Sequence, residues 1–183
     1  MPIYAIWDDH DFGPDNADGT MPGKEKSLRA FEALWVNPAY GQSGNPGVYF
    51  KFTRAEVDFF MLDGRYYRDP NKASNDERKT MLGARQLAWL KRELGASHAT
   101  IKVLASGGEW QAHGTDDSWR SFKYERRDLF NFIETNSIQG VLLISGDRHY
   151  TGAHHVEGKW IEVTSGPHQQ HTHRRQERAR NIP

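Results

Sequence analysis

The sequence predicts an α/β fold, and three observations carry that prediction. Short, fully apolar stretches such as residues 140–145 (GVLLIS) read as strands buried on both faces. They are separated by segments whose apolar residues recur at helical spacing. Strand and helix take turns along the chain, the pattern of a sheet covered by helices on both faces. With 183 residues the chain is one domain or part of one.

Taken in order, residues 2–8 read as a buried strand. Residues 27–36 (SLRAFEALWV) read as a helix with Leu28, Phe31, Ala33 and Trp35 near one face. Asn45-Pro46-Gly47 is a turn signal opening a strand pair over 47–53 and 57–62. Residues 84–94 (ARQLAWLKREL) form an amphipathic helix closed by Gly95, with Leu87, Trp89, Leu90 and Leu94 turned to the core. A strand over 101–105 follows, then a helix over 124–135 in which Phe130, Phe132 and Ile133 read as packing. Strands over 140–145 and 160–164 complete the set, with a short one over 151–156 between them.

Composition then removes whole classes of chemistry. The chain has no cysteine, which excludes disulfide scaffolds, thiolate zinc sites, iron–sulfur clusters and a thiol nucleophile. No apolar run approaches the roughly 20 residues of a membrane span. Met1 leads into Pro2-Ile3-Tyr4 without the basic region or cleavage site of a signal peptide. Oxygen and imidazole remain. The 24 basic and 24 acidic side chains cancel, yet residues 1–23 hold Asp8, Asp9, Asp11, Asp15 and Asp18 with no Lys or Arg. Carboxylates packed so closely either hold a cation or form a solvated acidic loop. Residues 168–183 are rich in Arg and His and read as a basic, flexible tail. The acidic first segment argues against specific nucleic-acid binding.

Ligands gather where the strands of an α/β sheet end. One such end is Ile6-Trp7-Asp8-Asp9-His10-Asp11. Another is Ser145-Gly146-Asp147-Arg148-His149-Tyr150, where Gly146 permits a turn and Asp147 and His149, two apart, can aim at one point. After the 57–62 strand comes Asp63-x-Arg65-x-x-Arg68. Guanidinium groups there suit phosphate, while pairing of Arg65 with Asp63 or Asp69 would merely fix the loop. Both readings stay open. Ser106-Gly107-Gly108-Glu109-Trp110 lacks the spacing and Lys of a Walker loop, but its place after a strand puts Glu109 and Trp110 near a pocket rim.

Four motifs in this order carry a resemblance: Trp7-Asp8-Asp9-His10-Asp11-Phe12-Gly13-Pro14, Phe60-Met61-Leu62-Asp63-Gly64-Arg65-Tyr66-Tyr67-Arg68, Leu82-Gly83-Ala84-Arg85-Gln86-Leu87-Ala88-Trp89-Leu90 and Ser145-Gly146-Asp147-Arg148-His149. Together they resemble the PhoD-like alkaline phosphatases, a branch of the calcineurin-like metallophosphoesterases, over residues 4 to about 167. The resemblance implies a four-layer αββα sandwich, a two-metal site at strand ends, and hydrolysis of phosphate mono- or diesters.

It also implies that residues 1–167 are the C-terminal part of the catalytic domain. In the family an N-terminal half precedes the Trp7 motif and carries an aspartate that bridges the metals. The expected partners are therefore a phosphate-ester substrate, the missing N-terminal half, and a second copy joined through the unpaired edge of the 2–8 strand. The competing expectation is a non-catalytic remnant that keeps the fold without a complete dinuclear site.

Residue roles follow from the same resemblance. Asp9, Asp147 and His149 are implied as metal ligands. His10 is implied to contact the phosphoryl group and protonate the leaving oxygen, oriented by Asp11. Separately from the resemblance, guanidinium chemistry makes Arg65, as a catalytic and substrate-binding group, and Arg68 candidates to face the substrate, and Arg148 to face either substrate or a structural carboxylate. Asp8 reads as a capping carboxylate. The implied metals are iron with calcium, with manganese or magnesium as alternatives.

Overall fold

The computed structural model describes residues 3–111 and 115–166, so the expected tail lies outside the described residues. The elements are α1 (Asp9–Phe12), α2 (Lys24–Leu34), β1 (Phe50–Arg54), β2 (Val57–Met61), α3 (Ala84–Gly95), β3 (Ile101–Ser106), a 3-10 turn (Trp119–Phe122) leading into α4 (Lys123–Thr135), β4 (Val141–Ser145), β5 (Gly152–Val156) and β6 (Trp160–Thr164). The strands form one mixed sheet in the order β1-β2-β3-β4-β6-β5. The central strands β2, β3, β4 and β6 are parallel, with β1 and β5 antiparallel at the edges. Parallel pairing brings the C-terminal ends of β2, β3, β4 and β6 to a common rim, and the site lies there.

Side-chain alternation divides the sheet into two unlike faces. Phe60, Leu104 and Leu143 stand in register on one face and are fully buried with Trp89, Leu90 and Leu94 of α3 and Leu129, Phe130 and Ile133 of α4. Trp110 stacks on Trp119 at 4.7 Å and Phe130 on Trp160 at 4.4 Å in the same core. The other face carries the row Phe59, Val103, Leu142 and Ile161, which belongs to neither hydrophobic cluster of the described residues. Ile101, Ile161 and Val163 on it are 41%, 48% and 37% exposed.

The α/β class holds, but the described helices α3 and α4 cover one face only. Of the four layers implied, the described residues build a sheet and one layer of helices. The apolar strands are composed for burial on both sides, and among the described residues no second layer of helices or strands lies on the other face.

Residues 3–8 form no strand, contrary to expectation. The backbone N–H and C=O of Ala5 bond the Asn37 side-chain amide at 3.0 and 2.8 Å instead of a neighbouring strand. Tyr4 packs on Phe50 and Phe52, and Trp7 sits in a second core with Phe12, Leu28, Phe31, Val48 and Tyr66. The apolar run is thus satisfied by packing and one amide rather than by a ladder. The strand edge expected there for self-association is not formed, and the sheet edges are β1 and β5.

Candidate metal centre

At the rim the chain turns from residues 3–8 into α1. Asp8 occupies the position just before that helix, and its backbone N–H donates to Asp11 Oδ2 at 3.2 Å. Asp8 and Asp11 thus form a capping box, and the Asp8 carboxylate also reaches beyond it. Asp8 Oδ1 accepts from Arg65 Nε at 2.6 Å and lies 2.5 Å from Arg65 Nη2. Asp147 follows β4 through Gly146, whose N–H bonds the Gly107 carbonyl at 2.9 Å. One oxygen each from Asp8, Asp9 and Asp147 lie within 4.8 Å of one another.

Ionised carboxylates at that spacing repel by about 3 kcal/mol or more per pair at an effective dielectric constant of about 20. The protein answers only part of this. Burial pushes the Asp8 carboxyl up to about 6 against the pull of Arg65, and Asp147 adds to the rise. Burial also raises Asp147, helped by the charges of Asp117 and Asp9. Asp9 moves down: burial works against its charge, but the N–H of Asn16 at 2.8 Å, Arg65 and the N–H of His10 at 2.8 Å outweigh it.

Asp8 Oδ2 is buried and has no hydrogen-bond partner among the described residues. An unpaired buried acceptor is costly, and a hard cation among these oxygens would satisfy it while cancelling the repulsion. The donor set therefore fits an oxygen-preferring divalent or trivalent ion. A second group shares Asp9: one ligand atom each from Asp9, His10 and Asp15 also fall within 4.8 Å. His10 and Asp15 are exposed, with Nε2 and Oδ1 3.8 Å apart.

The expected residues thus divide. Asp9 and Asp147 come together. Asp8, read as a cap, joins them because Arg65, 57 residues away, draws its carboxylate back to the rim. A Cβ on Gly107 would stand 2.7 Å from Asp8 Oδ1, so the Gly-rich turn after β3 makes room for this carboxylate. His149 is exposed and joins neither group of the described residues. The argument that residues two apart share a direction assumed extended backbone, whereas Asp147 and His149 are left-handed, with φ of 64° and 54°. Asp11 does not orient His10, since its carboxylate takes the Asp8 N–H and the acid beside His10 is Asp15.

The arginine readings also change. Arg65 and Arg68 are buried, and their guanidinium groups turn inward to Asp117 and Asn71. Neither guanidinium pairs with Asp63 or Asp69 and neither has a free fork for phosphate. Burial, helped by the charge of Arg65, lowers Arg68 to about 10. Arg148 meets a structural carboxylate, with Nε 3.2 Å from Glu109 Oε2. Glu109 and Trp110 are buried rather than at a rim, and Tyr150 donates its hydroxyl to Glu109 Oε1 at 2.9 Å. Burial and Glu109 push Tyr150 up to about 12. The residue that sequence reasoning missed is Asp117, which sits in no motif and meets Arg65 across 52 residues.

The sequence model of a family described as PhoD-like phosphatase matches residues 1–177. Among curated proteins, alkaline phosphatase D of Bacillus subtilis (strain 168) is 29% identical over 199 residues, covering 90% of this chain and 34% of that protein. The chain therefore spans about a third of that relative's length. A solved structure of PhoD superposes with a TM-score of 0.70 at 23% identity, over 87% of this chain and 38% of that one, a likeness of fold.

Proposed function

The chain belongs to the PhoD-like phosphatase family, and on that premise we propose that its strand-end rim serves metal-dependent hydrolysis of phosphate mono- or diesters. The observation that carries this reading is the cluster of Asp8, Asp9 and Asp147 with one buried carboxylate oxygen left unpaired. These three would hold the cations, for which the family resemblance favours iron with calcium, or manganese or magnesium in their place. When bound, such ions supply Lewis acidity and a hydroxide nucleophile near neutral pH.

The chain's own groups do the rest. His10, exposed beside Asp15, would give a proton to the leaving oxygen. Arg148, its side chain 32% exposed, is the guanidinium of the three that can face a phosphate, with Glu109 holding it. His149, two residues beyond Asp147, is the further ligand that the family resemblance implies. The remaining ligands are assigned to the polypeptide that precedes this stretch in longer relatives. The apolar row Phe59, Val103, Leu142 and Ile161 is where that polypeptide would pack a second sheet. Alone, the chain is expected to turn over slowly.

The test is metal analysis of the purified chain and hydrolysis of nitrophenyl phosphate mono- and diesters with calcium, manganese and iron supplied. It is repeated with an N-terminal half added in trans. Uptake of no cation by the rim would sink the reading, and turnover of about 1 per second by the chain alone would show that no further half is needed. In a complete protein, His10→Ala should keep the metal and cut turnover by roughly 100-fold to 10,000-fold; loss of metal would make His10 a ligand.

A further inference from the structure

Asp117 stands behind the carboxylate cluster without belonging to it. Only 7% exposed, it accepts from Arg65 Nη1 at 3.1 Å and Nη2 at 2.5 Å, from Arg68 Nη2 at 2.8 Å and from Asn71 Nδ2 at 2.7 Å. Its base is firm. The Trp119 N–H bonds the Glu109 carbonyl at 3.0 Å, and Trp119 Nε1 donates to Ser106 Oγ at 3.1 Å, which tie the Asp117 loop to the end of β3.

Arg65 is fully buried between two carboxylates, its Nη2 2.5 Å from Asp117 Oδ2 and 2.5 Å from Asp8 Oδ1. Charge alternates along this row: Asp117 negative, Arg65 positive, Asp8 negative. The two-pronged grip of Asp117 on the guanidinium fixes its plane, and that plane decides where Asp8 can stand.

We infer that Asp117 is a positioning residue for the cation site, holding Arg65 from behind so that Asp8 keeps its place. The inference rests on the reading of Asp8, Asp9 and Asp147 as cation ligands.

Calorimetric titration of calcium into the purified chain tests it, with Asp117→Asn, Asp8→Asn and the double variant beside the unaltered protein. Asp117→Asn should weaken calcium binding by about 10-fold to 100-fold while the circular dichroism spectrum stays unchanged. In the Asp8→Asn background the same change should cost less than about 2-fold, because the carboxylate that Arg65 places is no longer there. Unchanged affinity in Asp117→Asn overturns the inference. Equal losses in both backgrounds also overturn it, since Asp117 would then act through space rather than through Arg65. If Asp117→Asn does not fold, Arg65→Lys keeps the charge and loses the fork, and calcium binding as tight as in the unaltered chain refutes the role. No calcium binding by the unaltered chain instead removes the cation reading itself, and this role with it.

Discussion

Two aspartates at strand ends on the same rim, Asp63 after β2 and Asp147 after β4, meet opposite fates. Asp63 is fully buried, and its oxygens accept from Trp7 Nε1 at 2.7 Å, the N–H groups of Arg65 and Tyr66 at 2.9 Å each, and the Val48 N–H at 3.0 Å. Asp147 is half-buried, and its carboxylate stands within 4.8 Å of those of Asp8 and Asp9. Burial raises both carboxyls. The difference lies in what is done with the lone pairs. Those of Asp63 are spent on joining the Trp7 segment, the Val48 segment and the 63–68 loop, while the Asp8, Asp9 and Asp147 group keeps oxygen for something not supplied by the fold.

The largest effect should come from the satisfied partner. Asp63→Ala leaves four buried donors without an acceptor, each worth about 1 to 3 kcal/mol, so a loss of about 4 kcal/mol or more in stability is expected from urea unfolding. A loss under about 1 kcal/mol would show that Asp63 is not the structural member of the pair.

Next is the pH response of Asp8. Its folded-state value of about 6 lies above the ordinary value of about 4. The native chain therefore keeps a proton that the unfolded chain has released. Cation-free stability should fall as pH rises from about 4 to about 6 and stay level above, by up to about 3 kcal/mol. The quantity to measure is the unfolding midpoint of the unaltered chain against Asp8→Asn across that window. A gap that moves in favour of the unaltered chain as pH rises would contradict the charge frustration of the cluster, and saturating calcium should erase the trend.

Gly107→Ala is a smaller and more local break. The new methyl would stand 2.7 Å from Asp8 Oδ1, so calcium affinity should drop about 10-fold to 100-fold, with a stability cost of about 1 to 3 kcal/mol. Wild-type affinity in this variant would place Asp8 outside the site. The smallest effect is expected for Asp147→Asn in cation-free buffer. Removing a like charge from the cluster should change stability by no more than about 1 kcal/mol, or raise it, where the corresponding change at Asp63 is severe.

Most of the elements were legible before any coordinates. The helical spacing of Leu87, Leu90 and Leu94 marked α3, the apolar run 140–145 marked β4, and both stand within a residue or two of their expected ends. Residues 3–8 were misread because an apolar run has the same letters whether it pairs with a strand or packs as an extended segment, and here Asn37 takes the place of a strand. The short α1 and the Trp119–Phe122 turn were not anticipated, since four residues are too few to show a period.

In the site, Asp9 and Asp147 were readable from their places after apolar runs. His149 stands outside the described cluster because nothing in Asp-x-His announces two left-handed residues. Arg65 and Arg68 carried the right chemistry for phosphate and the wrong surroundings, because exposure is decided by which distant carboxylate meets them.

The order of strands and helices, the absence of thiol chemistry and the gathering of carboxylates at strand ends follow from local pattern and composition, which act over a few residues and survive in the letters. That Asp8 joins the cluster, that Gly107 makes room for it, and that Asp117 grips Arg65 behind it are contacts across 50 or more residues. Such contacts exist only once sheet register and loop packing have fixed the distances, because charge and hydrogen-bond energies depend on separation in space and not on separation along the chain.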